Sequence, residues 1–287
     1  MQLEAVGVEA RSEAVNLARR SLSFNLGAVE LDDTKYCGGV VGIEDSVDET
    51  MVDSKECNVQ IVQGDFRDLV SLADASTKND ESNAQDGLMS MADVASKRYD
   101  LITGTPPYFR VGFTTTSTTQ DKGFERTTDD NLEVVTSAVI EQGGMPTSMQ
   151  SAPARCEFRG GIEAYCLAAS ALLSSPHGIF VVCENWANDD RVWKGAAEAG
   201  LIIESVLPVC GGGKAKQRQG NNILFAVYVM KKKIEEDALA AEDRNRDVDE
   251  VEAMKNCMQH TLVVRDENGK WTEEYAKVMN SMSIPTE

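Results

Sequence analysis

The chain has few of the residues from which metal sites and disulfide frameworks are built. It contains two histidines, His177 and His260, which lie far apart, and its seven cysteines include no C-x-x-C pair. Protein zinc sites usually gather histidines and closely spaced cysteines, so this sequence predicts no metal centre. Cys166 and Cys183 lie in apolar runs and are typical of small core residues. An odd number of unpaired cysteines favours a reducing compartment, and we expect a cytoplasmic protein.

Long hydrophobic segments are also missing. No apolar run approaches the roughly 20 residues that a membrane crossing needs, and Met1–Glu4 has neither the basic start nor the apolar region of a signal peptide. The 287 residues are 42% apolar and 26% charged, which is typical of a soluble globular protein of one or two domains. We therefore expect no membrane partner, while an organelle address stays open if an N-terminal segment is missing.

The sequence has little positive charge, and its net charge of −19 argues at first against a nucleic-acid partner. The location of the acids changes that conclusion. Four acidic stretches together carry −22 and leave the rest of the chain at +3; they are residues 30–56, 71–93, 119–142 and 235–252. Because the acids concentrate in predicted loops, the framework is mildly basic and RNA remains a candidate partner.

The interpretation of the rest of the chain starts from the stretch Tyr99–Phe109, Y-D-L-I-T-G-T-P-P-Y-F. Its first half is a short apolar run that predicts a buried parallel strand. Pro106 and Pro107 then end the strand, because proline has no N–H for a strand ladder. Open α/β sheets present their sites at such carboxyl ends of strands. An ordinary turn with a surface tyrosine is the alternative interpretation.

Thr105-Pro106-Pro107-Tyr108 resembles the (Asn/Asp/Ser)-Pro-Pro-(Tyr/Phe) motif of S-adenosylmethionine-dependent amino-group methyltransferases. Acceptors at the first residue and the first proline carbonyl hold the N–H groups of a poorly nucleophilic exocyclic amine, and the aromatic ring stacks on the flat substrate. The resemblance implies that these four residues are catalytic and that Phe109 binds substrate. Thr105 departs from the family pattern, although its hydroxyl can still accept a hydrogen bond.

Two acidic turns resemble the cofactor-binding turns of the same family. Leu3–Ala10 predicts a strand, and the helical spacing in Arg11–Leu26 predicts a helix after it, so Glu9 would hold the ribose hydroxyls of S-adenosylmethionine. A capping carboxylate at a helix start is the alternative for Glu9. In Gly64-Asp65-Phe66-Arg67-Asp68, the resemblance implies that Asp65 accepts from the adenine amino group and that Phe66 packs near the ring. An ordinary turn is the alternative there.

The second half of the chain continues the resemblance. Arg155–Leu173 predicts a helix after Gly160-Gly161, and its R-C-E-F-R-G-G start is similar to proteins related to the tRNA (adenine-N6) methyltransferase that modifies a valine tRNA. Further predicted elements are the strands 178–184, 201–209 and 222–231, the helix 191–199, and a strand, turn and Thr272-capped helix in 260–279. We interpret the chain as a single domain, 1–287, with acidic insertions at about 28–57, 71–96, 111–150 and 232–256.

A basic loop lies between the strands predicted at 201–209 and 222–231. It contains Lys214, Lys216 and Arg218 after three glycines, and no P-loop Gly-Lys-Ser/Thr follows. In the methyltransferase sheet this loop would lie on the same edge as Thr105–Tyr108, where its cations would contact RNA phosphates. A solvated loop is the alternative interpretation.

These observations predict an α/β fold with one Rossmann-like, mostly parallel sheet that ends in an antiparallel hairpin. The expected activity is N-methylation by S-adenosylmethionine, with adenine N6 in RNA, of the tRNA kind, as the expected acceptor. Methylation of a protein glutamine is a rival with a similar motif. A non-catalytic RNA- or protein-binding module that retains the fold is a rival of another class.

One family element has no counterpart in the sequence: the first strand with its G-x-G-x-G turn, which approaches the methionine part of the cofactor. The family places that strand between its second and fourth strands, so its loss would leave two strand edges unpaired. The resemblance therefore implies either a fragment or a degenerate relative.

We predict that the 287-residue chain binds S-adenosylmethionine weakly or not at all. The missing glycine turn would make the polar contacts to the methionine part of the cofactor. Each such contact is worth roughly 0.5–1.5 kcal/mol, and about 1.4 kcal/mol is a tenfold change in affinity. Isothermal titration measures this directly, with a chain extended upstream by a strand and a G-x-G-x-G turn as the comparison. Micromolar binding by the unextended chain would contradict the prediction.

Overall fold

The computed structural model describes most of the framework that the sequence predicts. The described residues are 3–25, 39–41, 57–76, 89–107, 157, 160–212, 223–233, 254 and 256–284. Contacts divide the chain into two compact units, Met1–Arg98 and Tyr99–Glu287. Each unit is described by itself.

The described part of the first unit has three strands and three helices. In chain order they are β1 Leu3–Glu9, α1 Ser12–Asn25, β2 Gly39–Val41, β3 Cys57–Gln63, α2 Asp68–Ser76 and α3 Met91–Ser96. The strands form one sheet in the order β1-β3-β2. β1 and β3 are parallel, with Leu3 opposite Cys57 and Glu9 opposite Gln63, whereas β2 is antiparallel to β3.

Helix α1 confirms the helix predicted from its apolar spacing. Val15 is buried, and Ala14, Ala18 and Leu22 on the same stripe are half-buried. Arg19 adds a polar anchor, since its Nε and Nη2 donate to the Ile61 carbonyl of β3 at 3.3 and 2.8 Å. The stripe and this anchor hold the helix against the parallel strand pair.

Residues 71–96, expected to be a polar and irregular insertion, contain helical structure at both ends. Most of α2 and all of α3 lie there. The start of α3 has a capping box, in which the Ser90 hydroxyl accepts from the Asp93 N–H and the Asp93 carboxylate accepts from the Ser90 N–H. Val94 and Ala95 are buried. The polar composition concealed these helices because only a few apolar side chains carry their packing.

The described part of the second unit contains the larger sheet. Its elements are β4 Leu101–Gly104, α4 Ile162–Leu172, β5 Ile179–Asn185, α5 Asp189–Glu198, β6 Leu201–Cys210, β7 Ile223–Lys232, β8 Leu262–Val263 and α6 Glu273–Ser281. The five strands are ordered β4-β5-β7-β6-β8. Gly200, with a φ of 69°, follows α5 as predicted. The Thr272 hydroxyl caps α6 by accepting from the Tyr275 N–H at 3.2 Å.

Strand directions make this a mixed sheet. β4 is parallel to β5, and β6 is parallel to β8. β7 is antiparallel to both β5 and β6, which confirms the predicted C-terminal antiparallel hairpin. As a result β4, β5 and β6 all run in one direction and end at the same edge.

Helices α4 and α5 supply one side of the core of this unit. Their buried residues pack in one cluster with alternate residues of β5, β6 and β7. The fully buried members include Ile162, Leu173, Phe180, Val182, Val192, Tyr228 and Met230. Cys166 belongs to this cluster, as predicted, whereas Cys183 is half-buried.

The structure differs from the predictions in two features of the sheet. The described strands form two sheets, of three and five strands, rather than one. β4 is parallel as expected, but it is not buried: Leu101 is 60% exposed, because β4 has one neighbour among the described strands. None of the described helices combines the length and apolar composition that a membrane crossing requires.

Gly212 provides a test of the packing at the end of β6, where its backbone lies against Arg265. Its φ is 77°, and a Cβ there would lie 1.8 Å from the Arg265 carbonyl oxygen. We expect Gly212→Ala to lower the free energy of unfolding by more than about 3 kcal/mol, because it combines left-handed strain with a clash against backbone. Gly200→Ala is the matched control, since Gly200 has a φ of 69° and open space around it. Urea denaturation that shows equal losses would contradict this packing.

Candidate functional site

The Glu9 carboxylate lies in the short turn between β1 and α1. Its Oε1 accepts from the Arg11 backbone N–H at 3.0 Å and from the Arg11 Nε at 3.4 Å. Both donors belong to Arg11, the residue before α1, so these bonds give Glu9 a structural role in the turn that leads into the helix. Its second oxygen, Oε2, accepts no hydrogen bond from the described residues.

The Asp65 carboxylate is held in a similar way in the turn after β3. Oδ1 accepts from the Arg67 backbone N–H at 3.0 Å and from Nε at 2.9 Å, while Oδ2 accepts from Nη2 at 2.5 Å. Asp65 therefore orders its own turn through Arg67. Phe66, the third predicted cofactor residue, is half-buried in that turn, and its carbonyl accepts from the Leu69 N–H at 3.2 Å.

The fold brings the two acidic turns to one edge. Glu9 ends β1, Gln63 ends β3, and these residues are opposite each other in a parallel pair. The Gly64 N–H donates to the Glu9 backbone carbonyl at 3.0 Å, so the second turn begins directly beside the backbone of the first. The first unit thus gathers Glu9, Asp65 and Phe66 at the carboxyl end of two neighbouring strands.

In the second unit, the Thr105–Pro107 turn follows β4 at the corresponding edge of the larger sheet. Thr105 is exposed, Pro106 is buried and Pro107 is half-buried. Gly104 lies against Tyr165 of α4, because a Cβ at position 104 would be 2.8 Å from the Tyr165 ring. Tyr108 and Phe109 lie outside the described residues.

The connection between β6 and β7 leaves and re-enters the sheet at this edge. Gly212 and Ile223 bound it, and β6 runs in the same direction as β4. The described ends of this connection, Gly212 and Ile223, therefore lie at this edge, and the predicted location of the basic loop itself stays a prediction. Lys214, Lys216 and Arg218 themselves lie outside the described residues.

Sequence reasoning missed a group of buried charges at the same edge. Arg191 of α5 binds two carboxylates: its Nη1 and Nη2 lie 2.5 and 3.1 Å from the Glu157 oxygens, and its Nε and Nη2 lie 2.7 and 2.6 Å from those of Glu163. Glu157 is buried and Glu163 is half-buried. These contacts hold the start of α4 against α5.

Glu184, near the end of β5, is the second group that was missed. It is 0% exposed, and its Oε1 accepts from the Asn185 N–H at 2.8 Å and from the Asn188 Nδ2 at 3.0 Å. Oε2 is buried and accepts no hydrogen bond from the described residues. An acid at the end of the apolar run G-I-F-V-V-C-E, followed by two asparagines, was the signal available in the sequence.

Burial controls the ionisation of this part of the core. It raises the pKa of Glu184, although the bonds from Asn188 and Asn185 partly oppose that change. Burial, with the nearby acids Glu163 and Glu184, raises the pKa of the Cys166 thiol to about 12. Cys166 is therefore an inert core thiol rather than a nucleophile. Among the described residues, no group of three or more histidines, cysteines or acids could hold a metal ion.

Comparison with known proteins adds no family to this description. No family model matches the chain, and no curated protein matches it.

The buried Glu184 carboxyl makes a prediction about stability and pH. Because its pKa is raised in the folded state, the folded protein holds this proton more tightly than the unfolded chain. Its contribution to stability is therefore greatest below the ordinary carboxyl pKa and is lost as the pH rises through the raised value. We expect Glu184→Gln to gain stability relative to the native protein as the pH rises across that window.

Urea denaturation at a series of pH values measures this difference. Glu267→Gln, which removes a carboxylate from an exposed turn, is the control for the loss of one acid. A difference between Glu184→Gln and the native protein that is independent of pH would show that Glu184 does not retain its proton on folding.

Proposed function

We propose that this protein is an S-adenosylmethionine-dependent N-methyltransferase that acts on an exocyclic amine, with adenine N6 in RNA as the acceptor. The observation that carries the proposal is the shared edge of β1 and β3. Two acidic turns, at Glu9 and Asp65, follow adjacent parallel strands there, linked by the Gly64-to-Glu9 backbone bond. Nucleotide cofactors bind outside the carboxyl ends of strands in open α/β sheets.

The donors of the cofactor fit the acceptors on this edge. S-adenosylmethionine, when bound, supplies an electrophilic methyl group on its sulfonium. Its ribose hydroxyls and adenine amino group are hydrogen-bond donors, and a carboxylate offers about four acceptor positions. Glu9 Oε2 accepts nothing from the described residues and is suited to a ribose hydroxyl. Asp65 is suited to the adenine amino group, with Phe66 beside the ring.

The Thr105–Pro107 turn is suited to the amine. The Thr105 hydroxyl and the Pro106 carbonyl are acceptors for its N–H groups, and they favour the tetrahedral nitrogen on which the lone pair is free. The cofactor would give its methyl group to this lone pair and leave as the thioether S-adenosylhomocysteine, and the amine would release one proton to water. Catalysis is then positioning and electrostatics, without a covalent enzyme intermediate.

Strand order supports the finer assignment of the fold. The resemblance implies a sheet whose last long strands form an antiparallel hairpin. β6 and β7 pair in this way, and β7 also lies antiparallel to β5. We therefore include a Rossmann-like methyltransferase fold in the proposal.

The non-catalytic binding module is kept as a second candidate because one observation favours it. Glu9 and Asp65 both bond to an arginine two residues later in their own turns. Such bonds are sufficient to explain each acid as a structural part of its turn. The experiment must therefore detect methylation itself rather than binding.

Nucleoside analysis of cells that lack the protein tests the proposal. We expect total RNA digests to lose N6-methyladenosine from one RNA class, and the native gene to restore it. Tyr108→Ala should fail to restore it, because stacking on an aromatic ring is worth roughly 1–3 kcal/mol per base. Tyr108→Phe retains the ring and is the matched control.

Mass spectrometry separates the candidates. If RNA nucleosides are unchanged and a methylated glutamine is lost, the acceptor is a protein glutamine and not RNA. No change in either would favour the non-catalytic module and contradict the proposed activity.

A further inference from the structure

The turn after β5 lies beside the Thr105–Pro107 turn. β4 and β5 are parallel neighbours, and the last pair of their register is Gly104 opposite Val182. β4 ends at Gly104, directly before Thr105, and β5 continues for three residues beyond Val182 and ends at Asn185. Because the two strands are parallel, Asn185 and the Thr105–Pro107 turn lie at the same edge of the sheet.

The Asn185 side chain has a fixed orientation. Its Oδ1 accepts from the Ala187 N–H at 3.0 Å. This bond closes the start of the 3₁₀ helix Trp186–Asn188, which is one turn long. Since that bond requires the oxygen, the opposite atom of the carboxamide is the NH₂ donor, Nδ2. Asn185 is half-buried, and Nδ2 donates no hydrogen bond to the described residues.

Glu184 holds Asn185 from within the core. One oxygen of Glu184 binds both ends of the turn, through the Asn185 backbone N–H and the Asn188 side chain. With both partners bound to a fully buried carboxyl, the turn has little freedom to move away from the sheet edge.

The chemistry of the proposed substrate needs a donor at this edge. An exocyclic amine on adenine lies between two ring acceptors, N1 and N7. The Thr105–Pro107 turn offers acceptors, and its two prolines have no N–H. Apart from the Thr105 N–H and hydroxyl, a donor for the ring acceptor has to come from a neighbouring element, and the turn after β5 is such an element.

We propose that Asn185 is a substrate-recognition residue, which donates from Nδ2 to the ring acceptor beside the reactive amine, and that Glu184 positions it. This inference rests on the proposed function. The ligand class is a planar amine that is conjugated to a hydrogen-bond acceptor, and the substrate is adenine in RNA.

The experiment combines a protein change with a matching substrate change. Methyl transfer from S-adenosylmethionine is measured for protein expressed from its complete gene, on the RNA identified by nucleoside analysis. The RNA carries adenosine, 1-deazaadenosine or 7-deazaadenosine at the target. We expect one of the two deaza substitutions to lower kcat/KM at least about tenfold with the native protein, because the Asn185 donor loses its partner.

Asn185→Asp retains the Oδ1 acceptor for Ala187 but replaces the donor by an acceptor. We expect it to lower kcat/KM on unmodified RNA at least about tenfold, mostly through KM for RNA. On this variant the same deaza substitution should then have less than about a twofold effect, since the contact is already absent. Asn280→Asp, the same charge change at an exposed position of α6, is the matched control and should behave like the native protein.

Glu184 is tested through the same substrate pair. Glu184→Gln retains an acceptor for Asn185 and Asn188 and should preserve the response to the deaza substitution, whereas Glu184→Leu should abolish it. Ile203→Ala, in the buried core near the opposite end of β5, controls for lost stability and should retain the response. Equal behaviour of the leucine and Ile203 variants would overturn the positioning role.

The outcomes distinguish this inference from the proposed function. If the native protein transfers no methyl group to RNA, the proposed function fails and the recognition role fails with it. If the native protein methylates RNA but neither deaza substitution lowers kcat/KM, the function stands and the role of Asn185 is wrong. If the deaza substitution still lowers kcat/KM in the Asn185→Asp variant, the proposed role of Asn185 is also wrong.

Discussion

The direction of β7 is the constraint on which the second unit depends. β7 pairs along its length with β5 and β6, and its Ala226, Tyr228 and Met230 are fully buried. Because both neighbours run opposite to β7, they run parallel to each other, and β4 follows β5 in the same direction. One antiparallel strand therefore brings the Thr105–Pro107 turn, Asn185 and the start of the β6–β7 connection to a single edge.

Helices and strands whose bounds are set by the local sequence were predicted well. Each bound of α1, β5 and β7 differs from the predicted range by one residue, because apolar spacing and strand-ending glycines are local signals. The exposure of Leu101 was not predictable in this way. An apolar run indicates a strand but not its number of neighbours, and that number decides whether a parallel strand is buried.

The candidate site was predictable only where a motif marked it. Glu9, Asp65 and Thr105 were found by family resemblance, but the buried Glu184 and Arg191 were not. Their roles depend on α4 and α5 packing over β5, and a carboxylate that is buried only after folding gives no pattern in sequence. Arg191 contacts Glu157 and Glu163 together, so removing it would leave two neighbouring carboxylates without a counter-charge.

The bonds inside the two acidic turns do not by themselves choose between a structural and a ligand-binding role. The turn at Glu9 uses one carboxylate oxygen, Oε1, which accepts both bonds from Arg11. The bonds fix the direction of the carboxylate and leave Oε2 without a partner among the described residues. A carboxylate that is already oriented loses less conformational entropy when a ribose hydroxyl binds. The local bonds of Glu9 are therefore compatible with cofactor binding and would strengthen it.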